Sequence, residues 1–276
     1  MDDQPPGLRS DGRHEKPRIR DNLRKGVYVL PNLFTTASLF FGFFSIISAM
    51  KGNYLISAYA IIVSAFFDAT DGTVARLTNT TSLFGIEYDS LSDLVAFGVA
   101  PAILAYKWKL EPFGKFGWLA AFLYLAAGAL RLGRFNVQAR SEESVNFTGL
   151  PIPGAAGMVA SLVLFYDYVG ISPIAQQRLP ELNIDAVNIA ILVLIYILSF
   201  LMVSTFKYPS SKNKELFKRR QLVIFFVFIA LLTLVIAVPK VMFFAIFVLY
   251  VSSGICISFY SFLTHKKTIP QSSTSN

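Results

Sequence analysis

The chain of 276 residues is 54% apolar and only 15% charged, with 26 Phe and a mean hydropathy of +0.54. Soluble domains carry nearer a quarter charged residues, so lipid is expected to be the solvent for most of the surface; disorder, a disulfide scaffold and a collagen-like fibre are excluded on the same numbers. The net charge of +8 would suggest nucleic acid in a soluble protein, but in a membrane protein such an excess collects in cytoplasmic loops. The single cysteine, Cys256, has no partner for an intrachain disulfide.

Residues 1–26 are polar and basic, broken by Pro5, Pro6, Gly7 and Gly12. A disordered start is expected, then a short surface helix around residues 19–25. The following apolar run begins too late and is too long for a cleavable signal peptide. From Tyr28 onward a bilayer-length window finds eight candidate spans, at about 28–50, 54–75, 84–106, 116–138, 150–170, 185–206, 221–238 and 241–264. The expected architecture is an all-α polytopic transmembrane bundle. It divides into a basic tail (1–27), a membrane domain (28–264) and a disordered tail rich in Ser and Thr (265–276). No internal repeat stands out, which argues against an inverted-repeat transporter.

Loop charge sets the expected orientation. With the N-terminus inside, 19 of the 25 basic residues fall on the cytoplasmic side, and only Lys51, Lys107, Lys109, Lys115, Arg178 and Lys240 lie opposite. That is the positive-inside asymmetry, and it places both termini in the cytoplasm. The basic excess then needs no nucleic acid, although it suits anionic membrane lipids.

The conspicuous stretch runs from Asp68 to Asp93. Asp68 and Asp71 are three apart near the cytoplasmic end of the second span, and Asp89 and Asp93 are four apart near the start of the third. Either spacing puts a pair on one helical face, and antiparallel helices let the pairs face each other. Glu87 points elsewhere and is read as interfacial. Each acid costs roughly 2.5–3.5 kcal/mol near a membrane centre, less toward the interface. Like charges about 4 Å apart repel by about 4 kcal/mol at an effective dielectric of about 20. Four together require protonation, cationic partners or metal, and Arg76 supplies only one positive charge. An all-oxygen ligand set suits Mg²⁺ or Mn²⁺, and four carboxylates can bridge two ions. Two such ions are the usual means of neutralising a pyrophosphate during displacement at phosphorus. Gly72, Ala75 and Gly85 leave the inner face of this hairpin open to a ligand, beyond the helix packing that small residues commonly serve.

These residues form the pattern D-x2-D-G-x2-A-R-x8-G-x3-D-x3-D, which resembles the signature of the CDP-alcohol phosphatidyltransferases. The resemblance implies a membrane enzyme that joins a CDP-activated lipid to an alcohol and releases CMP. It implies that Asp68, Asp71, Asp89 and Asp93 ligate two divalent ions, and that Asp93 also takes the proton of the attacking hydroxyl. It implies a CDP-lipid site bordered by Asn32, Thr35, Asp68, Asp71, Gly72, Ala75, Arg76 and Gly85; for Asn32 and Thr35 a plain helix start at Pro31 is the other reading.

Arg131-Leu-Gly-Arg134-Phe-Asn136, with the stretch from Phe147 to Gly157, is similar to the phosphatidylserine synthase branch of that family. The resemblance then covers most of residues 28–210. Arginines at the end of the fourth span suit a carboxylate or phosphate, so Arg131, Arg134 and Asn136 are the candidates for the serine or phosphate side of the site. Ordinary positive-inside anchoring is the alternative for the arginines. Pro151 and Pro153 are expected to bend the entry of the fifth span, where Gly154 and Gly157 permit close packing. The expectation is therefore transfer of a phosphatidyl group from CDP-diacylglycerol to L-serine at the cytoplasmic face of the cell membrane, by a protein that the resemblance suggests is a homodimer. Other acceptors (glycerol 3-phosphate, inositol phosphate, choline) and a cation-coupled transporter are the competing readings.

Overall fold

The computed structural model describes residues 19–78, 82–140, 149–171, 184–204, 233–234 and 237–265. Every regular element among them is helical. They are α1 (Ile19–Met50), α2 (Tyr54–Thr78), α3 (Leu83–Asp93), α4 (Ala100–Ala105), α5 (Lys115–Arg140), α6 (Ile152–Ile171), α7 (Ile184–Val203) and α8 (Pro239–His265). A π-helical stretch, Leu94–Val99, joins α3 to α4, and a second one, Tyr106–Leu110, follows α4 and ends in the short 3₁₀ turn Glu111–Phe113. From Leu83 to Phe113 this makes one continuous span. Seven helical segments among the described residues are long and apolar enough to cross a bilayer. They match seven of the eight expected spans; of the eighth, 221–238, only residues 233–234 and 237–238 are described. The protein is a multi-pass helical membrane protein.

Two boundaries differ from the sequence reading. The basic segment at 19–25 and the first span form one uninterrupted helix, with Pro31 inside it. The third span extends to Phe113 rather than ending near 106, because π turns carry the chain onward through Lys107 and Lys109. At its other end, α1 closes with Gly52 in the left-handed region (φ +80°), where the Asn53 amide donates to the Ser48 carbonyl at 2.9 Å. That glycine stop returns α2 antiparallel to α1.

The two helices form the most extensive contact of the bundle. They meet along a seam of buried hydroxyls. Ser45 pairs with Ser57 at 2.8 Å, and Ser38 with Ser64 at 2.8 Å. Residues seven apart lie on one helical face, so the same face of α2 that presents Ser57 and Ser64 next presents Asp71. In that antiparallel register its counterpart on α1 is Pro31.

α6 is the most buried span. It packs on α2 and on α8, where the Phe247 ring occupies the space a methyl at Gly157 would need. α5 packs on α7 and on the π turn after Asp93, where the Tyr124 hydroxyl donates to the Phe97 carbonyl at 3.3 Å. π turns inserted into helices are frequent at functional sites. Here the turn is held from the other side as well. A methyl at Gly42 would come within 2.6 Å of the Ala96 Cα, so α1 and the π turn touch backbone to backbone. This contact fixes the depth of Asp93.

Candidate active site

Asp68 and Asp71 leave α2 one turn apart, and Asp89 and Asp93 leave α3 one turn apart. The antiparallel pairing brings the four together at one end of the bundle. Carboxylate oxygens of Asp68, Asp71 and Asp89 lie within 4.8 Å of one another. Asp93, one turn after Asp89 on α3, adjoins Asp68. The α3 helix starts here because Ser82, in an extended conformation, caps it by accepting the Gly85 amide at 3.0 Å.

α1 braces both acid helices. Thr35 is 4% exposed and donates its hydroxyl to Asp71 Oδ2 at 2.7 Å. The Thr35 carbonyl accepts from Ser92, which sits between Asp89 and Asp93, at 3.1 Å. The next residue, Thr36, pairs with the Tyr88 hydroxyl at 2.9 Å. Two adjacent threonines thereby set the spacing between the acid pairs. The Thr35 hydroxyl also lies 3.2 Å from the Pro31 carbonyl, one turn earlier on α1 and level with Asp71.

Between the three helices lies a cleft of about 160 Å³, lined by Asn32, Thr35, Asp71, Gly72, Ala75, Arg76, Gly85 and Asp89, with Pro31, Ser82 and Ile86. All the residues expected to border the CDP-lipid therefore line it except Asp68, which faces Asp93. A methyl at Gly72 would meet nothing within 4 Å, so the wall is open there. Arg76 is exposed at the rim, as is Glu87 on α3.

The three residues expected on the acceptor side separate. Arg131 is half-buried, lies in electrostatic range of Asp93 and Tyr250, and has a buried Nε without a hydrogen-bond partner. Arg134 donates Nη1 to the Val203 carbonyl at the end of α7 at 3.3 Å. Asn136 donates to the Ser90 hydroxyl at 3.0 Å, tying α5 to α3 next to Asp89. Arg134 and Asn136 thus hold α5 between its neighbours, while Arg131 faces the acids. Ser82, Ser90, Ser92 and Tyr250 belong to this region without having been singled out by the sequence. Of these only Ser82 carried a readable signal, as a cap three residues before Gly85 in a run of Thr and Ser.

Asp89 Oδ1 and Asp93 Oδ1 are buried with no hydrogen-bond partner. Buried polar atoms are almost always satisfied, so an orphaned oxygen on Asp89, within the three-carboxylate cluster, and another on Asp93 fit a bound cation. The donor set is oxygen only, as a hard divalent ion requires. Four carboxylates on one membrane hairpin, two of them lining a cleft with small walls, suit a charged phosphate-bearing substrate far better than helix packing alone.

A family model described as CDP-alcohol phosphatidyltransferase, a metal-dependent family, matches residues 28–202. A CDP-diacylglycerol–serine O-phosphatidyltransferase of Helicobacter pylori is 40% identical over 187 residues, covering 68% of this chain and 74% of the relative. One of the same name from Bacillus subtilis is 35% identical over 184 residues, covering 67% of this chain and 92% of the relative. An archaetidylserine synthase of Methanothermobacter thermautotrophicus is 36% identical over 184 residues, covering 65% and 69%. The match spans the acid hairpin, the bracing helix and the arginine-bearing α5 together, and the chain belongs to the CDP-alcohol phosphatidyltransferase family.

Proposed function

We propose that the protein transfers the phosphatidyl group from CDP-diacylglycerol to L-serine, giving phosphatidylserine and CMP. The observation that carries this reading is the cluster of Asp68, Asp71 and Asp89, with Asp93 one turn on, beside a cleft that Asp71 and Asp89 line, two of the buried carboxylate oxygens being unpartnered. Relatives named for serine as acceptor support the choice of alcohol.

In this reading the four aspartates would hold two divalent ions, Mg²⁺ or Mn²⁺. When bound, the metal supplies positive charge against the pyrophosphate and the developing negative charge at phosphorus. Asn32, Thr35, Gly72, Ala75, Arg76 and Gly85 border the CDP moiety, with the small residues admitting it close to the backbone. Asp93 accepts the proton of the serine hydroxyl as its oxygen bonds to the β-phosphorus, and the bond from that phosphorus to the CMP oxygen breaks. Arg131, facing Asp93 across the bundle, is the strongest candidate for the serine carboxylate or a substrate phosphate. Arg134 and Asn136 act on that side of the site through the helices they hold.

The diglyceride tails remain in lipid while serine and CMP exchange with water, which suits a site near the cytoplasmic face with both termini on that side. The protein is taken to work as a homodimer. Purified protein incubated with CDP-diacylglycerol and, separately, serine, glycerol 3-phosphate, inositol phosphate or choline tests the reading: CMP release is expected with serine. Release with another alcohol reassigns the acceptor. No release with any, together with cation flux in sealed vesicles, would favour the transporter.

A further inference from the structure

The opposite end of the bundle, about 25 Å along α2 from Asp71 at about 1.5 Å per residue, holds a second cavity. It has a volume of about 560 Å³ and lies among the α1–α2 turn, the end of the third span and the last turns of α6. Its wall combines apolar side chains (Leu55, Ile56, Val163) with Trp108 and Tyr166. Trp and Tyr with such neighbours belong at the level where acyl chains give way to headgroups.

Beside the cavity a lysine is held against the aromatic wall. The Lys109 ammonium donates to the Tyr166 hydroxyl at 3.1 Å and lies 4.4 Å from the centroid of that ring and 5.7 Å from that of Trp108. Lysines at a membrane boundary usually extend into water; this one is fixed against two cavity-lining rings, with one of its three N–H donors engaged by Tyr166. The acid of the wall, Asp167, is neutralised by Lys240 at 2.7 Å. Lys51, Lys109 and Lys115 at this end have no carboxylate partner among the described residues.

We propose that this cavity binds an anionic phospholipid of the leaflet opposite the acid cleft, its phosphate on Lys109 and the first carbons of a chain on Leu55, Ile56 and Val163. Charge complementarity selects the ligand: the lysines without carboxylate partners make the local charge positive, the wall is mainly apolar, and its Trp and Tyr are residues of the headgroup level. The site is separate from the catalytic cleft and does not depend on the reaction assigned to it.

The chain carries its own reporter. It has two tryptophans, Trp108 and Trp118, so Trp118→Phe leaves only the one that lines the cavity. In phosphatidylcholine vesicles, phosphatidylglycerol with brominated chains should quench Trp108 at a mole fraction about fivefold lower than brominated phosphatidylcholine does, the ratio expected for one lysine near an anionic lipid. In the same background Lys109→Gln should abolish the preference, and Lys109→Arg, which keeps the cation, should retain it. Equal quenching by the two lipids would overturn the proposal. So would a preference that survives Lys109→Gln, or one that Lys109→Arg loses.

Discussion

The hydroxyl seam between α1 and α2 and the acid cleft at its end are built on the same helix faces, yet they behave oppositely. In the seam every polar group closes on another: Ser45 on Ser57, Ser38 on Ser64, and the Ser64 hydroxyl also on the Ser38 carbonyl at 2.8 Å. In the cleft Thr35 satisfies one oxygen of Asp71, but Asp89 and Asp93 each keep a buried oxygen without a partner. Both regions are polar within the membrane-spanning helices. The seam is complete without a ligand, and the cleft is not. The contrast separates polar groups that hold helices together from polar groups that wait for something to bind.

Removing the cation should break the cleft and leave the seam untouched. Exhaustive chelation should reduce transfer to background, and Mg²⁺ or Mn²⁺ should restore it, read as CMP released from CDP-diacylglycerol. Helical content measured by circular dichroism should not change, because the seam needs no ion. Turnover that persists after chelation would mean the orphaned oxygens are satisfied in another way. The next largest effect is expected from Asp93→Asn, which keeps the shape but cannot accept the proton. Transfer should fall by about 10²–10⁴-fold, the usual span for loss of a general base, while CDP-lipid binding persists. Full activity in this variant would remove Asp93 from that role.

Thr35 stands where the two regions meet, and its replacement sharpens the comparison. Thr35→Val keeps the β-branched shape but leaves Asp71 Oδ2 without its donor. Groups that orient metal ligands typically change metal affinity by about 10–100-fold when removed. The Mn²⁺ concentration for half-maximal activity should rise by that order, as should the dissociation constant measured by Mn²⁺ titration. Thr35→Ser should recover most of the loss. If valine shifted stability but left Mn²⁺ binding alone, Thr35 would belong to the seam only.

Much of this could be read from the residues. Four acids in apolar surroundings are costly enough to stand out, and their spacings of three and four fix the face they share. The cleft walls at Gly72, Ala75 and Gly85 were legible for the same local reason. What escaped the reading depends on distant pairing. Ser38 and Ser45 are unremarkable in an apolar helix until Ser64 and Ser57 lie across from them. Ser92 matters because the Thr35 carbonyl, 57 residues earlier, is its acceptor. The π turn after Asp93 has no periodic signature, since its apolar residues suit an α-helix equally well. Arg131 and Arg134, three apart, look equivalent in the sequence; only the position of α7 shows that Arg134 is engaged by the Val203 carbonyl.

The smallest effect expected is also the most direct check on the seam. Ser45 and Ser57 are fully buried and bond to each other. Replacing either one by alanine leaves the other hydroxyl without that partner. Hydrogen bonds between membrane helices average only about 0.6 kcal/mol in double-mutant cycles, because an unfolded helix in lipid finds other partners. Each single variant should therefore lose about that much stability in a detergent-unfolding titration. The double variant, which removes both hydroxyls, should lose less than the two singles combined. Transfer should stay at the parent level in all three, because Asp71 is two heptads from Ser57 and is held by Thr35. A loss of transfer without loss of stability would show that the seam does more than pack, and that the acid pairs are registered over the whole length of α1 rather than at Thr35 and Thr36.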